Sequence, residues 1–447
     1  MTPDLLHALA RRVPRYTSYP TAAQFRAAVD DRLYRTWLGR VPAETPISLY
    51  VHVPFCAQLC WYCGCNTRVV RGRRPLDDFL GLLLQEIALV RQALGGSRRV
   101  SRLHFGGGTP NSLDADQLAT LGRELADTFP AVTDAEISVE LDPRTLDDAQ
   151  IGAFVAMGVN RVSLGVQDFD IDVQRAINRI QPFALVADAV HRLRAAGIRS
   201  INFDLLYGLP EQTVAKLLRT IDLAASLSPD RIALFGYAHA PWLKRHQALI
   251  PAETLPDLRQ RAKLEQAASG LLVAHGYRRV GLDHFAKPDD PLALLAARHG
   301  LRRNFQGYTT DACPTLIGLG PSSIGGFAEG YAQNTADYST YRARMGAGQL
   351  ATCRGIELTA DDRLRAEIIE RLMCDLAVDL AAIAARHGEP VDLLTEVLPG
   401  IDALADAGIA VRDGWRIRAT REPYVRLLCA AFDAYLDPRA AKHAMAV

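Results

Sequence analysis

The stretch YVHVPFCAQLCWYCGCNT, residues 50–67, holds four of the eight cysteines of the chain within ten residues. Cys56, Cys60 and Cys63 follow the spacing CxxxCxxC, and Cys65 comes two positions later. Three thiolates on one short loop can ligate three corners of a cubane iron–sulfur cluster and leave the fourth iron without a protein ligand. Because an open metal position is where a metal site does chemistry, the stretch predicts a reactive [4Fe-4S] centre.

A structural zinc site is the main alternative for these cysteines. Such sites usually pair two Cys-x-x-Cys knuckles, or one knuckle with two histidines, across an intervening segment. The other cysteines, Cys313, Cys353, Cys374 and Cys429, are scattered singly, so there is no second knuckle. A disulfide is also disfavoured, since we expect the chain to be cytoplasmic and the cytoplasm is reducing.

The composition is that of an ordinary soluble globular protein. The 447 residues are 49% hydrophobic and 23% charged, with a formal net charge of +1. A general nucleic-acid binder usually has a strong basic excess, so nucleic acid is not an expected partner. The N-terminus has no charged leader followed by an apolar run, and no apolar stretch is long enough to span a bilayer. We therefore expect a cytoplasmic protein with no membrane partner.

Short apolar segments alternate with helical patterns over the first part of the chain. Each segment is rich in Val, Ile, Leu or Phe, as buried parallel strands are. The predicted strands are Ile47–Val53, Val100–Phe105, Glu136–Leu141, Arg161–Val166, Ser200–Leu206 and Arg231–Phe235. The predicted helices are Leu76–Leu94, Ala115–Phe129, Asp148–Met157, Ile171–Ala196, Val214–Ser226 and Leu255–His275. Six such units predict an α/β fold with a partial (βα)6 barrel, and a doubly wound open sheet is the alternative.

Residues that could carry chemistry lie near the carboxyl end of every predicted strand. The cysteines follow the first strand, and Gly106-Gly107-Gly108-Thr109-Pro110 follows the second. Seven further residues lie at or near the carboxyl ends of the later strands. They are Glu140, Asp142, Gln167, Asp168, Asp204, Tyr237 and Ala238. Parallel barrels build their sites at this end of the strands. The position of these residues at one end of the strands therefore favours an active site over a purely structural role for the cysteines.

Two of these features also have a plain structural explanation. A glycine run lets backbone groups approach a small polar ligand, but a tight turn uses glycine equally well. Carboxylates such as Glu140 and Asp204 need partners, because an unpaired buried charge is costly. A salt bridge within the barrel, a ribose hydroxyl or an ammonium group would each serve.

Three regions flank the predicted barrel, which we place at residues 44–280. Residues 1–43 are expected to form a strap packed on the body of the protein or a lid over a site. Residues 281–355 look loop-like and are rich in aromatics, amides and glycines, so we expect them to cap the barrel and to bind substrate and cofactor.

Residues 356–447 are predicted to form a small helical accessory domain. Asp413-Gly414 between two short apolar runs is a hairpin signal within it. Helices with a hairpin could also form a winged-helix module that binds DNA, which the charge balance disfavours.

The cysteine pattern, with Tyr62 just before Cys63, resembles the signature of the radical S-adenosylmethionine (SAM) enzymes. Over nearly its whole length the chain is similar to one family of them, the oxygen-independent coproporphyrinogen III oxidases (dehydrogenases) of haem biosynthesis. The segments that carry the resemblance are Pro14–Ala22, Cys56–Cys65, Gly106–Pro110, Gly165–Phe169, Asp204–Pro210 and Asn304–Thr310.

The resemblance implies conversion of coproporphyrinogen III to protoporphyrinogen IX. In this family the open iron is chelated by SAM, and the reduced cluster cleaves SAM to a 5′-deoxyadenosyl radical. The radical takes a hydrogen atom from the β-carbon of a propionate side chain, and the substrate radical loses carbon dioxide and one electron. Two propionates become vinyl groups in this way.

The resemblance also assigns roles to residues of this sequence. Cys56, Cys60 and Cys63 are the expected cluster ligands, and the family holds two SAM molecules. The residues expected to line the first SAM are Tyr50, Gly107, Glu140 and Ile324. Those expected to line the second are Gly108, Thr109, Gln167, Arg179, Asp204 and Ala238, with Tyr62, Phe305 and Gln306 close to the cofactors. The expected catalytic residues are Tyr50, Gln306 and Cys65, which matches a family cysteine that is needed but is not a cluster ligand.

The expected partners follow from the same chemistry. The substrate carries four carboxylates, so arginines should line its pocket. The candidates are Arg71, Arg73, Arg74, Arg302 and Arg303, although clustered arginines are more often a solvated face. The resemblance further implies an electron donor such as a flavodoxin or a ferredoxin, and a monomeric enzyme.

Two other classes of function remain open at this point. A haem chaperone or haem-handling relative on the same scaffold would typically lack Cys65 and the segment Asn304–Thr310, and both are present here. A nucleic-acid-binding regulator with an iron–sulfur sensor would use the C-terminal hairpin, and the near-neutral charge disfavours it.

Overall fold

One large sheet organises the molecule. The structure is a computed structural model that describes residue 11 and residues 13–436. In chain order the strands are β1 Ile47–Val53, β2 Val100–Gly107, β3 Ala131–Leu141, β4 Arg161–Gln167, β5 Ser200–Tyr207, β6 Arg231–Gly236, β7 Arg278–Val280, β8 His284–Ala286, β9 Arg302–Asn304, β10 Gly307–Thr309, β11 Leu316–Leu319, β12 Ile324–Gly326, β13 Gly330–Asn334, β14 Thr352–Glu357, β15 Ala377–Asp379, β16 Ala410–Asp413 and β17 Arg416–Ala419. The α-helices are α1 Asp31–Arg40, α2 Arg74–Ala93, α3 Ala115–Thr128, α4 Asp148–Ala156, α5 Ile171–Ala176, α6 Phe183–Ala195, α7 Val214–Ser226, α8 Leu258–Ala274, α9 Pro291–Ala296, α10 Tyr338–Gly346, α11 Ala360–Asp375, α12 Leu380–His387, α13 Leu398–Asp406 and α14 Val425–Ala431.

The sheet is a partial barrel of six parallel strands, extended at both edges. Its order is β14-β13-β12-β11-β1-β2-β3-β4-β5-β6-β8-β7. The strands β1 to β6 pair in parallel with their neighbours, and helices follow each of them, as the sequence predicted. Helices packed on a parallel sheet bury the apolar strand residues, and the largest hydrophobic core of the described residues lies here.

One predicted helix is wrong. The pattern over Ile171–Ala196 predicted a single helix, but α5 and α6 are separate. Pro182, the N-cap of α6, cannot donate a backbone hydrogen bond, and Asn178 is in the left-handed region with φ 54°. Both features interrupt a helical hydrogen-bond ladder.

The loop-like interpretation of residues 281–355 is also wrong in part. This segment supplies β11, which pairs in parallel with β1, and β8, which pairs antiparallel with β6. The strands it adds to the sheet have three to six residues, and several contain glycine. Periodicity is a weak signal in runs so short, so the sequence pattern did not reveal them.

A second, smaller core belongs to the C-terminal helices. The hairpin β16–β17 forms at the predicted turn and gains a third strand, β15. Val13, Tyr16 and Tyr19 of the predicted strap are buried in the same core. Residues 1–10, 12 and 437–447 lie outside the described residues, so part of the predicted strap is not described. The domain boundaries stay predictions. Within the described residues, no helix is both long and apolar enough to cross a bilayer.

Candidate active site

The cysteine loop, Cys56–Cys65, leaves the carboxyl end of β1. It is held at its base by a two-residue parallel ladder between Phe55–Cys56 and Arg68–Val69. Cys60 is buried, whereas Cys56 and Cys63 are half-buried and Cys65 is exposed. All eight cysteines are described and none is in a disulfide. The loop therefore presents free thiols at the strand end that the sequence predicted.

Cationic side chains surround the sulfur of Cys60. Arg179 Nη1 lies 3.4 Å and Arg144 Nη2 3.5 Å from Cys60 Sγ. Asp142 pairs with both arginines, at 2.6 Å from Arg144 and 3.4 Å from Arg179. Burial opposes ionisation of Asp142, but the two guanidinium groups hold its pKa below the ordinary value. Two guanidinium groups beside one sulfur match the negative charge that a metal-bound cysteine carries.

The other two thiols of the CxxxCxxC motif also have hydrogen-bond partners. Cys56 Sγ lies 3.1 Å from Thr67 Oγ1, and the Cys65 amide donates to Cys63 Sγ at 3.4 Å. Hydrogen bonds from Cys65 lower the pKa of Cys63 to about 6. Donors aimed at the sulfurs of Cys60 and Cys63, with a hydroxyl beside that of Cys56, fit a group that leaves negative charge on cysteine sulfur, as an iron–sulfur cluster does.

The arrangement is not that of a preformed zinc site. Among the described residues, no three His, Cys, Asp or Glu side chains are grouped so that they could hold one metal ion. A structural zinc ion needs such convergence, with four ligands around a single point. In an iron–sulfur cluster the thiolates ligate different iron atoms, so they need not meet.

A segment after β6 clamps the cysteine loop through its backbone carbonyls. The three donors lie in and just before a 3₁₀ helix at Arg245–Leu249. The bonds are Lys244 Nζ to Cys65 O (2.8 Å), His246 Nε2 to Cys63 O (2.7 Å) and Gln247 Nε2 to Tyr62 O (2.7 Å). Sequence reasoning missed these residues. Their signal is a polar run, Lys-Arg-His-Gln, that begins at Lys244 in the segment between β6 and α8.

The glycine run packs against the start of the cysteine loop. A Cβ on Gly108 would lie 2.5 Å from Phe55 O, and one on Gly107, at φ 117°, would lie 2.8 Å from Val53 O. The amides of Gly108 and Thr109 donate to the carbonyls of Val53 and Phe55, each at 2.8 Å. The glycines are thus required by backbone contact, and these two amides are already engaged.

The interior of the barrel holds a polar cavity of about 210 Å³, called the barrel cavity here. Glu140, Asp204 and Gln306 line it, together with His104 and Ser138. His104 Nε2 lies 3.1 Å from Glu140 Oε1, and its Nδ1 lies 2.7 Å from Ser138 Oγ. Burial opposes ionisation of Glu140, but the bond from His104 and the nearby Gly107 amide hold its pKa below the ordinary value. Of the partners considered for the Glu140 carboxylate, the structure shows one within the barrel, the side chain of His104.

Asp204 has neutral partners. It accepts hydrogen bonds from Ser163 Oγ (2.8 Å) and Asn202 Nδ2 (2.9 Å). Burial, with the charge of Glu140 nearby, raises its pKa to about 6. Deeper in the barrel cavity the charges are paired, as Glu136 bonds to Arg161 at 3.0 Å and lies 3.6 Å from Arg102.

Tyr50 connects the barrel interior to the cysteine loop through His52. Asn66 O accepts from His52 Nε2 at 2.9 Å, so that nitrogen carries the hydrogen. Burial lowers the pKa of His52, and in the neutral ring Nδ1 accepts from the Tyr50 hydroxyl at 3.1 Å. The Tyr50 ring also stacks on His104, with centroids 5.8 Å apart and planes 16° apart.

A second cavity of about 200 Å³ opens at the carboxyl end of β6, and we call it the arginine cavity. Ala238 lies in its wall. The arginines that line it are Arg15, Arg261, Arg279, Arg303 and Arg426. The strap, α8, the segment after β8 and the C-terminal helix α14 all contribute to it.

The structure brings together some, not all, of the expected site residues. Tyr62 and Arg179 belong to the surroundings of the cysteine loop. Gln167 ends β4 with φ 66°. Phe305 packs edge-on against Tyr331, with centroids 5.4 Å apart, whereas its neighbour Gln306 lines the barrel cavity. Ile324 begins β12 in the sheet extension and lines neither named cavity.

A cysteine loop of this spacing at the strand ends of a partial barrel defines a radical SAM enzyme. Residues 50–224 match the Radical SAM superfamily, and residues 358–422 match the HemN C-terminal domain. The chain is 47% identical over 438 residues to the oxygen-independent coproporphyrinogen III oxidase of Bradyrhizobium diazoefficiens, covering 98% of this chain and 97% of that one. It is 43% identical to the enzyme of the same name from Paracoccus denitrificans, covering 98% and 97%.

A solved structure agrees with these relatives. Coproporphyrinogen III oxidase (HemN) from Escherichia coli, described as a radical SAM enzyme, matches with a TM-score of 0.90 and 38% identity, covering 94% of this chain and 98% of that one. The chain belongs to the family of oxygen-independent coproporphyrinogen III oxidases. The resemblance, the α/β fold and the assignment as an oxidoreductase are thereby confirmed.

Proposed function

We propose that this chain converts coproporphyrinogen III to protoporphyrinogen IX without oxygen, turning two propionates into vinyl groups. The observation that carries the proposal is the cysteine loop at the carboxyl end of β1, in a chain that matches relatives of this name over 98% of its length. Radical chemistry suits the reaction, because a non-acidic C–H bond on the β-carbon of the propionate must be broken before carbon dioxide leaves.

Cys56, Cys60 and Cys63 would hold a [4Fe-4S] cluster whose open iron takes SAM. When bound, this pair supplies an organic radical strong enough to remove a hydrogen atom from the substrate. Arg144 and Arg179 hold positive charge beside the Cys60 sulfur, at 3.5 and 3.4 Å. The donors after β6 hold the loop backbone in place, so the protein contributes electrostatics and a rigid loop.

The two SAM molecules expected from the resemblance would occupy different parts of the strand ends. The support for the first is the connected group Tyr50, Gly107 and Glu140, in which the Gly107 amide approaches Glu140 at 3.4 Å. A buried carboxylate with a lowered pKa stays ionised and can bind an ammonium group. For the second, Arg179 and Thr109 lie against the cysteine loop, and Ala238 lies in the wall of the arginine cavity.

The expected catalytic residues have different support. Tyr50 has a buried hydroxyl bonded to His52, which suits it to orient a ligand or to pass a proton. Gln306 lines the barrel cavity, and Cys65 is exposed next to Cys63. These positions are compatible with contact to substrate or cofactor.

The remaining proposals concern partners. An external electron donor such as a flavodoxin or a ferredoxin must reduce the cluster. We expect a monomer in the cytoplasm that acts on a small-molecule substrate and binds neither nucleic acid nor membrane. An oxygen-sensitive cluster suits that compartment, and the net charge of +1 gives no general affinity for nucleic acid.

Anaerobic turnover tests the function directly. The purified, iron-reconstituted protein is incubated with SAM, dithionite and coproporphyrinogen III, and the products are separated by chromatography. We expect protoporphyrinogen IX together with 5′-deoxyadenosine and methionine. Formation of 5′-deoxyadenosine without any loss of carbon dioxide from coproporphyrinogen III would contradict the proposed substrate. Tight stoichiometric haem binding with no turnover would instead support a haem-handling protein.

A further inference from the structure

A short turn after β3 builds part of the surroundings of the Cys60 sulfur. Asp142, Pro143 and Arg144 follow that strand directly, and a 3₁₀ helix begins at Pro143 with Asp142 as its N-cap. The Asp142 carboxylate accepts from the Arg144 amide at 3.0 Å and from the Arg144 guanidinium at 2.9 and 2.6 Å. The turn therefore folds the Arg144 side chain back on the aspartate two residues before it.

This arrangement brings the Arg144 guanidinium to the cysteine loop. Arg144 Nη2 lies 3.5 Å from Cys60 Sγ, and Arg144 Nη1 lies 3.5 Å from Gln58 Oε1 of the same loop. The side chains of Asp142 and Arg144 are each 12% exposed. Charges shielded from solvent to this degree are screened less by water and salt than a surface ion pair is.

Arg179, between α5 and α6, is the second guanidinium at this sulfur. Its Nη1 lies 3.4 Å from Cys60 Sγ and 3.4 Å from Asp142 Oδ2, and its Nη2 donates to Gly165 O at 2.6 Å. The Arg179 side chain is 7% exposed. Arg179 is among the residues expected at the second SAM, whereas Asp142 and Arg144 carry no such expectation.

The two guanidinium groups share one carboxylate. The ion pairs of Arg144 and Arg179 both go to Asp142, and within the described residues neither arginine has another carboxylate at ion-pair distance. Asp142 matches one of the two positive charges, and the other faces the sulfur of Cys60. A thiolate bound to iron supplies the matching negative charge.

Charges this close to a cysteine ligand affect how readily a cluster is reduced. Reduction adds one electron, supplied by the external one-electron carrier of the proposed function, and the charge at the loop becomes more negative by one. Hydrogen bonds to the sulfurs and net charge are among the factors that set the reduction potential of a cluster. A nearby guanidinium group therefore raises the potential, whereas a nearby carboxylate lowers it.

We propose that Asp142 and Arg144 are positioning residues that set the reduction potential of the cluster held by Cys60, with Arg144 raising the potential and Asp142 lowering it. The proposal rests on the proposed function, which assigns Cys60 as a cluster ligand. Asparagine keeps one acceptor oxygen, so Asp142→Asn removes the negative charge and still leaves a hydrogen-bond partner for Arg144. The two residues can therefore be tested separately.

The midpoint potential of the cluster tests the proposal. The anaerobic full-length protein is reconstituted with iron and sulfide and poised with dithionite at a series of potentials. Electron paramagnetic resonance then measures the reduced cluster, with and without SAM. In Arg144→Gln the ratio of reduced to oxidised cluster at a fixed potential should fall about tenfold, which corresponds to a midpoint about 59 mV more negative. Arg144→Lys keeps the charge and should shift the midpoint by less.

Asp142→Asn should shift the midpoint in the opposite direction, to a more positive potential. The matched controls are Arg412→Gln and Asp402→Asn, which change the same two kinds of charge in an ion pair between β16 and α13, where Arg412 Nη2 lies 2.9 Å from Asp402 Oδ2. Both controls should keep the midpoint of the wild type. Loss of a merely structural contact would not produce shifts of opposite sign.

Midpoints of Arg144→Gln and Asp142→Asn equal to that of the wild type would overturn the proposal, as would shifts of the same sign. Loss of iron from both variants would also overturn it, because the pair would then hold the loop and not tune the cluster. Where only one of the two variants loses its iron, the direction of the shift in the other decides.

Turnover keeps this proposal separate from the proposed function. An active enzyme whose variants keep the wild-type midpoint would contradict the role of Asp142 and Arg144 alone. A protein that shows shifts of opposite sign but never decarboxylates coproporphyrinogen III would contradict the proposed function and leave that role standing. A wild type that takes up no iron would overturn both.

Discussion

The barrel cavity and the arginine cavity have similar volumes but differ in the charges that line them. In the barrel cavity, several charged side chains are paired, as Arg161 is with Glu136 at 3.0 Å, whereas Asp204 has neutral partners. Among the described residues that line the arginine cavity, five are arginines and two are carboxylates. Two aspartates show how the surroundings differ. Asp204 in the barrel cavity has its pKa raised to about 6, whereas Asp283 in the arginine cavity has its pKa lowered to about 2.

The difference shows that burial alone does not decide the state of a carboxyl group. Burial opposes ionisation of both aspartates. Asp204 has neutral donors and the negative Glu140 near it, so the effect of burial remains. At Asp283 the bond from His284 and the charges of Arg303 and Arg15 outweigh burial. The groups nearest a carboxyl, and not burial alone, therefore decide whether it stays ionised.

The largest effect is expected at the cysteine loop, which leaves the carboxyl end of β1. Replacing Cys60 by Ser should abolish iron loading and turnover, because the buried sulfur beside Arg144 and Arg179 is lost. Iron content and 5′-deoxyadenosine formation measure this. The matched control is Cys374→Ser, a buried cysteine of the C-terminal region, which should keep its iron. Equal iron content in Cys60→Ser and the wild type would contradict the assigned ligand.

The next effect concerns the barrel cavity. Glu140→Gln keeps the shape but removes the charge that holds His104 and faces the Gly107 amide. With the proposed role of Glu140 in holding the SAM ammonium group, we expect turnover to fall by about a hundredfold, because one charged contact is lost. Turnover of Glu140→Gln equal to that of the wild type would contradict that role.

The two aspartates should give pH dependences of opposite sign. The raised pKa of Asp204 means that the folded state keeps a proton that the unfolded state releases, so its contribution to stability falls as the pH rises from about 4 to about 6. Asp283 has a lowered pKa, so its contribution is present above about pH 4 and is lost as the pH falls towards about 2. Each effect is at most about 2–3 kcal/mol.

Urea unfolding of Asp204→Asn and Asp283→Asn between about pH 3 and pH 8 checks these signs. Relative to the wild type, Asp204→Asn should gain stability as the pH rises. Asp283→Asn should be less stable near neutral pH, and that difference should shrink in acid. Two differences with the same sign of slope would contradict the contrast between the cavities.

The six barrel strands were predictable from the sequence because each is a continuous apolar run flanked by helical patterns. The residues at their carboxyl ends were predictable for the same reason, since the order of strands and helices dictates which ends meet. The cysteine loop is the clearest case, as its spacing alone indicated its chemistry. The edge strands β11 and β12 were not predictable, because runs of three or four residues with glycines show no period.

The sequence could not show how distant segments meet. Arg15 and Arg426 are more than 400 residues apart, yet both line the arginine cavity because the strap lies between the barrel and the C-terminal helices. Local clustering instead pointed to Arg71, Arg73 and Arg74, which are adjacent in the chain but lie on its surface. Which arginines meet in three dimensions is a property of packing, and no short window of sequence contains it.

The clamp after β6 has a consequence for the lifetime of the enzyme. Its donors, Lys244, His246 and Gln247, belong to one short segment that also continues back to Ala238. Because the three acceptors are backbone carbonyls of Tyr62, Cys63 and Cys65, one short segment fixes the cysteine loop whatever the side chains of the loop are. Loss of these donors would free the loop backbone, and we expect a cluster held there to be lost to dissolved oxygen sooner.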